Sequence, residues 1–110
     1  MQALQDRVAV VTGAAGAMGR AVVDTLLAQG CRVAMVDVNR QALEERQSQL
    51  GPRALAMPCD IRDPEAVARA HEAVCAAFGP VSVLVNNAGV LSNHKVEATS
   101  AVEWRQVLAV

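Results

Sequence analysis

Short apolar runs alternate along this chain with longer segments in which apolar residues recur at helical spacing. Continuous apolar runs are typical of strands buried on both faces of a parallel sheet. The third run is the weakest, because Pro58 near its end cannot donate a backbone hydrogen bond. The four predicted strands are Arg7–Thr12, Arg32–Asp37, Ala54–Cys59 and Val81–Val85.

The segments between these strands predict helices, and turn-forming residues mark their ends. The first two helices each stop at a glycine, Gly30 and Gly51, which suits the residue that follows a helix. The third helix opens with Asp63 as a cap and Pro64 in the first helical position. The predicted helices are Arg20–Gln29, Asn39–Leu50 and 63–78, and Ser100–Val110 predicts the start of a fourth.

The alternation of strands and helices predicts the fold class. It indicates an α/β fold with a doubly wound parallel sheet of the Rossmann type, because right-handed crossovers connect parallel strands. The expected order of the first four strands is 3-2-1-4, with helices on both faces. We expect residues 1–110 to form the N-terminal part of one domain. The fourth strand would be a bare apolar edge unless further strands or another chain cover it.

Composition excludes several classes of function. Hydrophobic residues make up 53% of the chain and charged residues 19%, which is typical of a folded domain. The net charge of -1 gives no basic surplus for nucleic acid or an anionic membrane. No apolar run is long enough to span a bilayer and no signal peptide is visible, so we expect a cytoplasmic protein. The three cysteines lack zinc-ligand spacing, which predicts reduced thiols and no metal site.

A glycine-rich turn, Thr12 to Gly19, joins the first strand to the first helix. A phosphate needs close approach to the backbone, which a Cβ would block, and it gains from the free N–H groups at a helix start. Strand-to-helix turns also carry glycine for geometry alone. The turn by itself therefore leaves nucleotide binding and a purely structural role open.

Asp37 ends the second predicted strand, eighteen positions after Gly19. A carboxylate there can accept hydrogen bonds from both hydroxyls of an adenosine ribose. The alternative is a turn or cap residue before Asn39. Together with the glycine turn, Asp37 favours the ribose interpretation. It also favours NAD over NADP, because a 2′-phosphate would meet a negative charge. Arg40 is the one nearby cation, and we interpret it as solvated.

The glycine spacing resembles that of one enzyme family. Gly13 to Gly19 spans six positions, whereas the commonest dinucleotide fingerprint spans five. The wider turn resembles the TGxxxGxG motif of the short-chain dehydrogenase/reductase family, with Ala17 where that family usually has glycine and Gly16 just before it. Two further segments are similar to motifs of this family: Cys59-Asp60-Ile61 to its adenine-holding segment, and Asn86-Asn87-Ala88-Gly89 to its NNAG turn.

The resemblance implies an NAD(H)-dependent oxidoreductase that moves hydride between a nicotinamide and an alcohol or ketone. It also implies a homodimer or homotetramer. The family's catalytic Ser and Tyr-x-x-x-Lys lie beyond the residues present, so no catalytic residue is expected within 1–110. The implied cofactor-binding residues are Gly13, Ala15, Gly16, Ala17, Met18, Gly19, Asp37, Val38, Asp60, Ile61, Asn87, Ala88, Gly89 and Val110.

Three alternatives remain at this point. The first is an NADP-dependent reductase such as a 3-oxoacyl-carrier-protein reductase, in which Arg40 would serve the phosphate. The second is a non-catalytic dinucleotide-binding module or a truncated product. The third, an S-adenosylmethionine-binding Rossmann protein, is disfavoured by the NNAG turn and the glycine spacing. We interpret His71, His94 and Lys95 as solvated surface residues.

Overall fold

Strands and helices alternate through residues 4–87, the part of the chain that the computed structural model describes. The elements are β1 Val8–Thr12, α1 Ala17–Ala28, β2 Arg32–Asp37, α2 Arg40–Leu50, β3 Ala54–Pro58, α3 Pro64–Phe78 and β4 Val83–Val85. This order confirms the predicted α/β alternation. The prediction of a further helix over Ser100–Val110 lies outside the described residues.

The four strands form one parallel sheet in the order β3-β2-β1-β4. Val10 of β1 pairs with Ala34 on one side and Leu84 on the other. All five residues of β1 are buried, as expected of a central strand. The predicted order 3-2-1-4 is confirmed. The chain reverses its direction of winding between β1 and β4, and ligands bind at the carboxyl ends of strands at such a switch point.

Two apolar clusters cover the two faces of the sheet. Successive β1 residues point to opposite faces, so that Val8 and Val10 join one cluster while Ala9 and Val11 join the other. The helix α3 covers the first cluster with Val67, Ala70 and Val74, and α1 and α2 cover the second with Val23, Leu26 and Leu43. Helices therefore lie on both faces, as predicted.

Two boundaries differ from the sequence prediction by more than one residue. The helix α1 begins at Ala17, three residues before the predicted Arg20, because Gly16 is an extended N-cap and the helical turn already includes Gly19. The strand β4 begins at Val83, two residues after the predicted Val81. Val83 pairs with Ala9, so Val81 would lie opposite a residue that precedes β1.

The outer edge of β3 has no accessible amide groups for pairing. Alternate residues of an edge strand point their N–H groups away from the sheet. Here Ala54 donates to the Gly51 carbonyl at 3.1 Å, Ala56 donates to Oε1 of Gln47 at 2.6 Å, and Pro58 has no N–H. The outward-facing positions of this edge therefore offer no unpaired N–H group to a further strand. No helix within residues 4–87 is long and apolar enough to cross a membrane.

Candidate functional site

In the turn after β1, the backbone conformation and packing of the chain require glycine at two positions. Gly13 adopts a φ of 64°, a left-handed conformation that favours glycine. A Cβ placed on Gly19 would lie 2.1 Å from the carbonyl oxygen of Gly13 and 2.8 Å from Cα of Ala14. The first turn of α1 therefore packs directly against the backbone of the preceding loop, and only glycine fits at position 19.

Gly16 differs from these two glycines because the chain does not require it. Its φ of -78° and ψ of 167° are open to any residue. An added Cβ would meet only the Gly13 carbonyl oxygen, at an ordinary contact distance of 3.6 Å. The missing side chain thus leaves open space at the N-terminus of α1, where a ligand could approach the backbone closely.

The N-terminus of α1 is also uncapped. The Asn39 side chain caps α2 by accepting from Ala42, and Asp63 caps α3 by accepting from Glu65 and Ala66. Gly16 offers no side-chain acceptor, and the first turn of α1 holds no acidic residue. The first N–H groups and the positive end of the helix dipole are therefore left for an external anion, and they fit a pyrophosphate.

Asp37 ties the end of β2 to the turn after β1. Its Oδ2 accepts a hydrogen bond from the Ala15 amide at 3.1 Å, and its Oδ1 accepts one from the Asn39 amide at 3.1 Å. Asp37 is thus a turn residue, which was one of the two interpretations that the sequence left open. A carboxylate has about four acceptor positions, so two remain for ribose hydroxyls.

Two large apolar side chains border this arrangement. Met18, in the first turn of α1, is 70% exposed, and Val38, directly after Asp37, is 69% exposed. They are the large hydrophobic side chains exposed in the part of the chain that the structure describes. Exposed apolar residues beside an uncapped helix end can cover the flat rings of a ligand.

The buried Thr12 hydroxyl links the turns that follow β1 and β4. Its Oγ1 accepts a hydrogen bond from the Asn87 amide at 2.9 Å and lies 3.1 Å from Oδ1 of Asn86, to which it can donate. Thr12 is fully buried. The sequence matched this residue to a motif but gave it no role, although a polar residue ending an otherwise apolar buried strand indicates one.

Asp60 and Ile61 follow β3 and are held by contacts of their own. The Arg62 amide donates to Oδ1 of Asp60 at 2.9 Å, and the Arg62 guanidinium contacts both carboxylate oxygens at 3.0–3.1 Å. These side-chain and backbone hydrogen bonds hold the pKa of Asp60 below its usual value. Ile61 is half-buried against the α3 face of the core.

The predicted cofactor-binding residues fall into three groups, according to where the structure places them. The structure joins the Gly13–Gly19 turn to Asp37 and brings Asn87 to Thr12. Asp60 and Ile61 follow the carboxyl end of β3, the neighbour of β2 in the sheet. Ala88, Gly89 and Val110 lie outside the described residues, so their predicted roles stay predictions.

His71, interpreted from the sequence as a surface residue, has a neighbour on its own helix. The side chain is half-buried on α3, and its Nε2 lies 3.5 Å from Sγ of Cys75, one helical turn further on. The sequence prediction treated His71 alone, whereas residues four apart on a helix are neighbours. Cys31 and Cys59 are buried and Cys75 is half-buried, all three as free thiols, as expected.

Comparison with known proteins identifies relatives of this chain. A family model described as short chain dehydrogenase matches residues 7–110. D-threitol dehydrogenase of Mycolicibacterium smegmatis is 38% identical over 110 residues, and 2,3-dihydro-2,3-dihydroxybenzoate dehydrogenase of Bacillus subtilis is 37% identical over 110 residues. Each alignment covers 97% of this chain and 42% of the relative. The chain thus spans less than half the length of these curated relatives.

Two solved structures share the fold. A 3-ketoacyl-(acyl-carrier-protein) reductase from Brucella melitensis, complexed with NADH, matches with a TM-score of 0.72 and 32% identity, covering 74% of this chain and 34% of that one. A short chain dehydrogenase/reductase from Burkholderia phymatum in complex with NAD matches with a TM-score of 0.71 and 29% identity, covering 76% and 31%. With the family model matched over residues 7–110, this chain belongs to the short-chain dehydrogenase family.

Proposed function

We propose that the full-length protein is an NAD(H)-dependent oxidoreductase, and that residues 4–87 supply most of its dinucleotide site. The observation that carries the proposal is the bond between the Ala15 amide and Asp37, which sets a carboxylate beside an uncapped helix N-terminus. When bound, NAD supplies the hydride acceptor and NADH the hydride donor for an alcohol or ketone. The residues of this chain bind and orient the dinucleotide.

We assign each part of the dinucleotide to the site residues whose chemistry suits it. We assign the pyrophosphate to the backbone beside Gly16 and to the N–H groups of Ala17 and Met18, because no side chain caps the first turn of α1. The adenosine ribose belongs at the free acceptor positions of Asp37. Val38 offers an exposed apolar surface next to that carboxylate.

The remaining cofactor-binding residues are assigned from the motifs of the family. Asp60 and Ile61 are proposed to hold the adenine, Asp60 through acceptor capacity beyond its bonds to Arg62. Asn87 is proposed to lie along the cofactor, since Thr12 fixes its backbone beside the turn. Ala88, Gly89 and Val110 complete the proposed set.

Charge supports NAD over NADP. A 2′-phosphate carries about two negative charges near neutral pH, and it would sit against the Asp37 carboxylate, where like charges repel. Ala15, the residue bonded to that carboxylate, offers no compensating cation. The alternative of an NADP-dependent reductase therefore needs a cation such as Arg40 to outweigh Asp37. The names of the two curated relatives, both dehydrogenases, support an alcohol as the reduced substrate.

We propose the partners, oligomeric state and location of the protein from its family and composition alone. The partners are a small alcohol or ketone substrate and further copies of the same protein, as a homodimer or homotetramer. The proposed location is the cytoplasm. Neither nucleic acid nor membrane is a proposed partner, in keeping with the net charge of -1.

Calorimetry with NADH and NADPH on the full-length protein tests this proposal. We expect NADH to bind more tightly than NADPH, and Asp37→Ala to narrow the difference by about tenfold or more, the effect of losing hydrogen bonds to a charged group. Glu72→Ala is the matched control, since Glu72 is an exposed acid on α3. Equal affinities in the unmutated protein would defeat the NAD assignment, and no binding of either dinucleotide would defeat the function.

A further inference from the structure

The helix α3 carries a cysteine–histidine pair away from the dinucleotide site. Sγ of Cys75 lies 3.5 Å from Nε2 of His71, and both side chains are half-buried. Because α3 leads from the carboxyl end of β3 back to the start of β4, its later turns lie towards the amino ends of the strands. The pair is therefore separated from the turn after β1 along the length of the sheet.

The spacing of these two atoms matches one edge of a tetrahedral metal site. Zinc lies about 2.3 Å from a thiolate sulfur and about 2.0–2.1 Å from an imidazole nitrogen, which in a tetrahedron sets the ligand atoms about 3.5–3.6 Å apart. The observed separation is 3.5 Å. Two ligands at positions i and i+4 of a helix share one face. Metal binding therefore requires little rearrangement of the backbone.

Cys75 is also the thiol best placed for this chemistry. The other two cysteines are buried, and burial raises the pKa of the Cys31 and Cys59 thiols. A metal binds the thiolate, so a thiol whose ionisation is penalised and whose sulfur is enclosed is a poor ligand. Cys75 is only half-buried.

We propose that Cys75 and His71 form a bidentate site for a thiophilic divalent cation of the zinc and cadmium class. The thiol releases its proton to solvent as the sulfur–metal bond forms, and His71 binds through Nε2. Residues 4–87 hold no cluster of three or more metal-ligating side chains, so water completes the coordination. The site is a weak one compared with a four-ligand structural zinc site.

Titration of the full-length protein with Cd²⁺ alone tests the proposal, because a sulfur–cadmium bond absorbs in the ultraviolet. We expect this absorption to saturate, and Zn²⁺ to compete for the site. Cys75→Ser should remove the absorption that arises from this site. His71→Gln should weaken Cd²⁺ binding by about tenfold or more, within the range known for losing a supporting group at a metal site. His71→Cys should restore tight binding by supplying a second sulfur.

Two controls keep the outcome decisive. Cys31→Ala should leave the absorption unchanged, since Cys31 is buried elsewhere. Far-ultraviolet circular dichroism should show each variant folded before titration. If His71→Gln binds Cd²⁺ as tightly as the unmutated protein, Cys75 acts as a lone thiol and the chelate is refuted. Failure of dinucleotide binding would not affect this result, because Cd²⁺ absorption does not depend on NADH.

Discussion

The Ala15 amide donates to Oδ2 of Asp37 at 3.1 Å, so a carboxylate at the end of β2 holds the turn that follows β1. The neighbouring Ala14 amide donates to the Val36 carbonyl at 3.1 Å and strengthens the same connection. Hydrogen bonds that accept at a carboxylate are stronger than neutral ones. Asp37 therefore orders the loop before any ligand arrives, and the proposed ribose contact uses acceptors on a side chain that is already fixed.

This double role predicts that Asp37→Ala destabilises the protein even without cofactor. The Ala15 and Asn39 amides both lose their acceptor, and the expected loss in free energy of unfolding is about 1–2 kcal/mol because the site is partly exposed to water. Asp37→Asn keeps one acceptor oxygen and should lose about half as much. Urea denaturation of the cofactor-free protein measures both. A role for Asp37 in ligand binding alone predicts no change for either variant.

Substitution by alanine should affect cofactor binding at Gly16 but stability at Gly19. Gly16→Ala meets only an ordinary contact of 3.6 Å, so the free energy of unfolding should change by less than about 0.5 kcal/mol. It should nevertheless weaken NADH binding by about tenfold or more, since the new methyl group occupies the space proposed for the pyrophosphate. Normal NADH affinity in a folded Gly16→Ala protein would place the pyrophosphate elsewhere.

Gly19→Ala is the matched comparison, because its Cβ would lie 2.1 Å from the Gly13 carbonyl oxygen. The helix and turn must separate, and overpacking of this kind costs about 1–3 kcal/mol in free energy of unfolding. Thermal unfolding of the cofactor-free protein measures the cost. A Tm equal to that of the unmutated protein would contradict the close packing of α1 on this loop.

Thr12→Val should loosen the connection between β1 and β4. Valine matches threonine in shape but cannot accept from the Asn87 amide, which now donates to Oγ1 at 2.9 Å. Leaving a partly buried N–H without a partner costs about 1–3 kcal/mol in free energy of unfolding. Thr12→Ser keeps the hydroxyl and should retain the bond. Hydrogen exchange at the Asn87 amide distinguishes them, and equal protection in all three proteins would refute the role of the hydroxyl.

Much of this molecule could be predicted from its sequence, because the strands are buried on both faces and read as continuous apolar runs. Apolar runs such as those around Val10 and Val33 predicted the strands, and their alternation with helices predicted the strand order. The start of α1 was predicted at Arg20 and lies at Ala17, because the sequence does not reveal that Gly16 is extended while Gly19 is already helical. Both glycines have the same weak intrinsic preference for helix.

Contacts between side chains were harder to predict than elements. The bond from Arg62 to Asp60 occupies a carboxylate that the sequence assigned to the adenine alone. The pair of His71 and Cys75 was missed because each residue was considered by itself, although their spacing of four was available as a signal. Such contacts depend on rotamers and on half-buried surroundings, which hydrophobic patterning does not specify.

The pair of Asp6 and Arg53 predicts a dependence of stability on pH. The Arg53 guanidinium donates to the Asp6 carboxylate at 3.0 Å, and this hydrogen bond holds the pKa of Asp6 below its usual value. A carboxyl with a lowered folded-state pKa stabilises the protein above its unfolded pKa of about 3.9, and this contribution is lost as the pH falls through the folded value. Asp6→Asn should therefore be less stable at neutral pH, and the difference should shrink below about pH 4. Asparagine tolerates the φ of 61° at this position, and a difference that stays constant with pH would refute the ion pair.

Gln47 should control the accessibility of the β3 edge. Its Oε1 accepts from the outward-facing Ala56 amide at 2.6 Å, and the neighbouring outward positions are already closed by the Gly51 carbonyl and by Pro58. Gln47→Ala would expose one edge amide, at a cost of about 0.5–1 kcal/mol in free energy of unfolding, and should accelerate hydrogen exchange at Ala56. It should also increase aggregation on warming, because an open edge can pair with another chain. Gln47→Glu retains the acceptor oxygen and should exchange slowly, whereas fast exchange at Ala56 in the unmutated protein would show that the side chain does not protect this edge.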